Sequence, residues 1–181
     1  MWQQQAGVRP CLIGELPDGE VGRIMGTVRA HARTLTAPLS GRACVYYMVL
    51  VEQAGAINMM LRDGVALALE DTSGRAIIEP AAASVAVLLD HREQARSLHE
   101  ATSSQDAVLA RNGYDIRGAG ELVFYEAVVE VGERVTVVGA GLREPTGVSS
   151  QETDFRTPPP LQLHIASSNA AQLSIASHRA H

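Results

Sequence analysis

Between residues 20 and 52 the chain reads EVGRIMGTVRAHARTLTAPLSGRACVYYMVLVE, and few folds accommodate it. Gly22, Ile24, Gly26, Val28 and Ala30 alternate with Arg23, Met25, Thr27, Arg29 and His31. That period of two predicts a half-buried strand at about 21 to 32. The second run, Cys44-Val-Tyr-Tyr-Met-Val-Leu-Val51, is β-branched, aromatic and nearly continuous, which predicts a strand at about 42 to 52 buried on both faces. Between them, Ala37-Pro-Leu-Ser-Gly41 is turn chemistry: Pro38 fixes φ and Gly41 can take a positive φ. The stretch is expected to form a hairpin onto which later strands pair.

Downstream, strands are expected at 65 to 71 and 75 to 79, joined by the Asp71-Thr-Ser-Gly74 turn, then at 85 to 89, 122 to 129, 134 to 139 and 161 to 165. Asp90-His-Arg-Glu93 resembles a capping box. It predicts a helix from about 90 to 101, with a second, shorter one at 104 to 111 stopped by Asn112-Gly113. Residues 1 to 19 form a lead-in, and 142 to 160, ending in Pro158-Pro-Pro160, reads as an exposed loop. Residues 169 to 181 read as a short helix or tail. The expected fold is mainly β: an OB-like small barrel with a helical insertion at about 90 to 111, between the third and fourth principal strands, and a C-terminal extension. With 181 residues, a single domain over 20 to 175 has room for a core.

Six of these runs occur in an order that resembles a known family. They are Gly22-Arg-Ile-Met-Gly26, Ala37-Pro-Leu-Ser-Gly-Arg42, Cys44-Val-Tyr-Tyr47, Leu69-Glu-Asp-Thr-Ser-Gly-Arg75, Tyr125-Glu126 and Gly132-Glu-Arg-Val-Thr-Val-Val-Gly139. Together they resemble the GIDE, or "beside a membrane", domain of MULAN-type ubiquitin ligases and their bacterial relatives. The resemblance spans about residues 20 to 175, and the Pro-Leu-Ser-Gly-Arg…Tyr-Tyr portion is its most specific part. It implies a non-catalytic binding or signalling module held next to a bilayer by transmembrane helices outside this stretch. It does not bring ligase activity, because a RING module needs about eight Cys/His zinc ligands and this chain has two Cys.

Composition narrows the chemistry. The formal net charge is −5, which argues against bulk affinity for nucleic acid or an anionic membrane surface. All 15 Lys and Arg residues are Arg, a bias typical of a GC-rich bacterial gene. No apolar run approaches the ~20 residues that span a bilayer, and the N-terminus lacks a signal-peptide h-region. Cys11 and Cys44 are too few for a disulfide framework or a Cys-rich zinc site. The histidines form no metal-binding pattern; His91 and His99 share a face of the expected helix and read as solvated. No cofactor is expected.

The residues singled out for a site are few. Glu126 sits inside an apolar strand on the face of Phe124 and Val128, and a carboxylate there wants a partner. Arg42, the charge entering the second strand, is the candidate. A surface of Arg33, Ser40, Gly41, Tyr46 and Tyr47 is the candidate binding face for an unidentified protein or small ligand. Two alternatives from other classes stand beside this reading. One is a single-stranded nucleic-acid-binding barrel using one tyrosine over Arg33 and Arg42. The other is a hydrolase using Ser40, although no Gly-x-Ser-x-Gly elbow or assigned histidine accompanies it. The glycine-rich run 113 to 120 is neither a P-loop nor a dinucleotide fingerprint.

Overall fold

The computed structural model describes residues 7–97, 100–111, 113, 120–145 and 161–178. Five strands close a small barrel: β1 (Val21–Ala30), β6 (Leu67–Glu70), β7 (Arg75–Ile78), β11 (Arg134–Pro145) and β12 (Leu161–Ala166). They run in the order β1-β6-β7-β12-β11, and β11 pairs back onto β1. The β7–β12 pair is parallel, whereas β1–β6, β6–β7, β11–β12 and β1–β11 are antiparallel. With the barrel strands counted along the chain, the order is first, second, third, fifth, fourth, first, the connectivity of an OB barrel. The alternation in β1 does what a closed sheet requires: Gly22, Ile24, Gly26 and Val28 are buried while the residues between them are half-buried or exposed. Closure is tight. A Cβ added to Gly26 would lie 2.7 Å from Leu69 Cγ and 2.8 Å from the Glu70 carbonyl oxygen. The lead-in closes one end, through a 3-10 turn at Ile13–Glu15 whose Ile13 and Leu16 are each 1% exposed within the barrel core.

A second sheet grows from two insertions. Between β1 and β6 the chain makes a two-stranded ribbon, β2 (Leu35–Thr36) with β3 (Ala43–Cys44), followed by β4 (Tyr46–Gln53) and β5 (Ala56–Gly64). Between β7 and β11 it makes β8 (Ser84–Ala86), β9 (His91–Ala95), the helix α1 (Ser103–Arg111) and β10 (Leu122–Val129). The second sheet has the order β5-β4-β10-β9. The last strand, β13 (Ser174–Ser177), pairs with β11 and, in parallel, with β8.

Four expectations are corrected. The runs at 21 to 32 and 42 to 52 are both strands but not a hairpin: β1 belongs to the barrel, whereas β4 pairs with β5 and β10. The apolarity of β4 on both faces explains its place. Tyr46 enters the barrel core, and Tyr47, Val49 and Val51 enter a second core under α1. Residues 91 to 95 are a strand, not a helix. The Asp90 carboxylate is bound to Arg42, and its N–H donates to the Glu126 carbonyl; sheet pairing thus overrides helix propensity. The working capping box lies twelve residues on, where Thr102 Oγ1 accepts from Gln105 N–H and Gln105 Oε1 from Thr102 N–H. Residues 142 to 145 continue β11 instead of opening a loop, and 174 to 177 form β13 instead of a helix or tail. Residues 146 to 160, and 114 to 119 of the glycine-rich run, lie outside the described residues. Strand β5 was not foreseen, because this mostly exposed edge shows no clean alternation.

The Asp71-Thr-Ser-Gly74 turn joins β6 to β7 and holds the lead-in. Asp71 accepts from Ser73 N–H (2.7 Å), Ser73 O–H (2.6 Å), Gly74 N–H (3.0 Å) and, across the chain, Ile13 N–H (2.8 Å). Burial pushes the carboxyl upward, but these donors together outweigh it and hold its pKa below the ordinary 3.8. A depressed carboxyl contributes stability that is fully present above its unfolded-state pKa and lost as pH falls through the folded value. Asp71→Ala is expected to cost about 2–3 kcal/mol at pH 7. It should also flatten the fall of stability below about pH 4, as read from urea unfolding between pH 2 and 7. An unchanged acid limb would refute this role.

Candidate functional site

The residues that carry chemistry in the 37–42 loop converge on Glu126. Register sets this up: on β10, Leu122, Phe124, Glu126 and Val128 share one face, with Glu126 opposite Val49 of β4 and His91 of β9. That face is the floor of the second core. The loop folds over it. Gly41 N–H bonds the Ala37 carbonyl at 3.0 Å, Ala37 N–H bonds the Arg42 carbonyl at 2.9 Å, and Gly41 supplies the φ of +70° that the reversal requires. Ala37 and Leu39 thereby enter the core, and the backbone N–H groups at the loop's crest point inward.

Glu126, itself 0% exposed, receives them. Its Oε2 accepts from Leu39 N–H at 2.8 Å, and its Oε1 accepts from Ser40 N–H at 3.2 Å and from the Ser40 hydroxyl. Arg42 adds charge from the rim. Its Nη2 lies 3.8 Å from Glu126 Oε1, and its Nε donates to Ser40 Oγ at 3.0 Å. The closer partner of Arg42 is Asp90, gripped by both terminal nitrogens at 2.7 and 2.6 Å. Hydrogen bonding to Asp90 holds the guanidinium charged more firmly than in water. Asp90 and the two backbone donors escaped the sequence reading. The usable signal was a lone carboxylate on an apolar face, which must find donors somewhere; the sequence does not reveal that Leu39 and Ser40 supply them.

The chemical consequence is specific. The Ser40 hydroxyl donates to a carboxylate and accepts from a guanidinium, and among the described residues no histidine nitrogen bonds it. Cys44 is 0% exposed, and burial first, then the Glu126 charge, push its thiol up to about 11. It stays protonated and shielded at neutral pH. Half-buried Cys11 is expected to react with a thiol reagent in the native protein, and Cys44 only after unfolding. Two thiols titrating at one rate in native buffer would contradict this burial.

The remaining candidates separate. Arg33 and Gly41 are exposed. Tyr46 and Tyr47 are each 3% exposed, in different cores. Burial raises both phenols, with Asp63 adding to the rise at Tyr47, and the nearby charges of Arg62 at Tyr46 and Arg111 at Tyr47 partly offset it. Neither ring offers a stacking platform, which corrects the expected binding surface. The strands β6 and β7 are also closed to ligand: Leu67, Ala68 and Leu69, and Ala76, Ile77 and Ile78, are all buried.

A second polar set ties α1 to the sheet: Glu93 bonds His91 Nε2 at 2.8 Å and receives the buried Gln105 amide at 2.7 Å. Among the described residues no group of three His, Cys, Asp or Glu is placed to hold a metal, and no helix is long and apolar enough to cross a membrane. A concavity of about 900 Å3 lies elsewhere, on the outer wall of β1, β11 and β13. No protein-family model, no curated protein and no solved structure matches this chain.

Proposed function

We propose that this chain is a non-catalytic binding or signalling domain similar to the GIDE domain, kept beside a membrane by segments outside this stretch. The observation that carries the reading is the closed hydrogen-bond circuit of the 37–42 loop. Its serine hydroxyl, crest amides and guanidinium are all engaged with Glu126 or Asp90. The other runs that bear the resemblance also have work within the scaffold. Gly26 permits barrel closure, and Asp71 ties the lead-in to the β6–β7 turn. Residues shared for such reasons maintain a platform, and function then rests on surfaces the platform presents.

The test is fractionation of the natural reading frame that contains this stretch, expressed with its own flanks. Recovery in a carbonate-resistant membrane pellet supports the reading; recovery in the supernatant sinks it. A fluorophosphonate probe applied to the same material is expected to leave Ser40 unlabelled, and labelling at Ser40 would revive the hydrolase reading. The nucleic-acid reading draws support from the barrel's strand order, but the burial of both tyrosines and of β6 and β7 weighs against it.

A further inference from the structure

The outer wall of the barrel has a character unlike the rest of this acidic chain. Pairing of β1, β11 and β13 lays Arg23 beside Val138, and Met25 beside Thr136 and then Ala176. The segment at Pro10, hydrogen-bonded in parallel beside Arg23, raises a wall along one side. The result is the open groove of about 900 Å3, floored by Met25, Val138 and Ala176 and flanked by Leu12. Met25 is 48% exposed and Leu12 41% exposed, so apolar surface faces solvent in a concave setting rather than as scattered single residues.

The margin is cationic. Arg23 lines the groove, and among the described residues no carboxylate lies within 4.0 Å of it. Arg134 holds its Nη2 3.2 Å from Met25 Sδ, and His178 is hydrogen-bonded through Nε2 to Thr136 Oγ1 at 2.6 Å. The one acid on the lining, Glu15, turns an oxygen toward Leu12 N–H at 3.4 Å. Arg23 on the lining and Arg134 beside Met25 at the margin, against the single carboxylate of Glu15, give this groove the opposite sign to a chain of net charge −5.

We propose that this groove binds a small amphiphile made of an unbranched apolar chain and a single carboxylate head. The chain would lie on Met25, Val138, Ala176 and Leu12, and the head would meet the arginines at the margin. A carboxylate suits a guanidinium through paired, charge-assisted hydrogen bonds. An apolar body suits a floor that offers few polar groups. This goes beyond the scaffold reading and does not depend on it, because the groove is formed within this stretch alone.

The test is an amide-resolved NMR titration of the 181-residue chain with decanoate, decan-1-ol, decyltrimethylammonium and butyrate, each as monomer. Decanoate is expected to bind saturably with a dissociation constant below about 1 mM, a modest affinity for an open, half-enclosing site. The shifts should centre on residues 23–25, 136–138 and 174–178. Shortening to octanoate should weaken binding about fourfold, since half-burying each methylene contributes about a factor of two. Decan-1-ol should bind at least tenfold more weakly, and butyrate and the quaternary amine should not saturate. Met25→Asp should abolish binding and Arg23→Glu should weaken it at least tenfold. Both replace solvent-reaching side chains, and an unchanged far-UV spectrum marks the fold as intact. Absence of saturation, shifts centred elsewhere, equal binding of the cationic amphiphile, or wild-type affinity in folded Met25→Asp would each overturn the proposal.

Discussion

Replacing Glu126 by Ala is expected to remove about 3–5 kcal/mol of stability, enough to cancel much of the margin of an ordinary domain. Three donors would lose their acceptor at once: Leu39 N–H, Ser40 N–H and the Ser40 hydroxyl. Leu39 is 8% exposed, so water cannot readily replace the carboxylate there. Arg42 tempers the loss, because it keeps its two-pronged contact with Asp90 and is not left as an orphan charge. For a chain of this length the loss corresponds to a fall in Tm of roughly 6–20 °C. Glu126→Gln preserves one acceptor oxygen and the side-chain shape, and should lose about half as much. Urea unfolding followed by circular dichroism measures both. A Glu126→Ala loss under about 1 kcal/mol would mean that the loop does not need its clamp.

Phe124→Ala should be of similar size, about 3–5 kcal/mol, for a different reason. The ring is 0% exposed and lies two residues from Glu126 on the same face of β10, opposite Val51 of β4 and Glu93 of β9. Its removal opens a cavity beneath α1 in a core that also holds Val49, Val108, Leu109 and Leu122. The two effects should not add. Loosening the floor beside the carboxylate weakens the clamp in advance, so the double variant should lose less than the sum of the singles. Hydrogen exchange should show the damage first in β4, β9, β10 and α1, with the barrel strands less affected. Uniform loss of protection across both sheets would instead mean that the two cores unfold as one unit.

The barrel was legible because its signals are local. The alternation of β1 and the Asp-Thr-Ser-Gly turn between β6 and β7 specify strands whatever happens elsewhere in the chain. The second sheet was less legible because its partners come from distant insertions. Nothing near Cys44–Val51 announces that β10, more than seventy residues on, is its neighbour. Residues 91 to 95 misled for the same reason: their composition favours helix, and only the free edge of β10 makes them a strand. In the site, a stranded carboxylate and a turn cation could be read from pattern alone. The backbone donors of Leu39 and Ser40 could not, because side-chain identity does not reveal which way an amide points. The burial of Tyr46 and Tyr47 follows from the two-faced burial expected of this strand, and it is their placing on a binding face that failed. Aromatic residues on opposite faces of one strand are both buried only when each face has a core of its own, as it does here.

The most direct test of the central claim, that the loop's chemistry is spent inside the molecule, is the exchange rate of the Leu39 amide proton at neutral pH. With its N–H donated to Glu126 at 2.8 Å, it should exchange as slowly as the β4 and β10 amides and lose that protection in Glu126→Ala. Exchange at the rate of an open surface loop in the unaltered protein would contradict the claim, since the loop would then present its serine and crest amides to solvent and be free for another role.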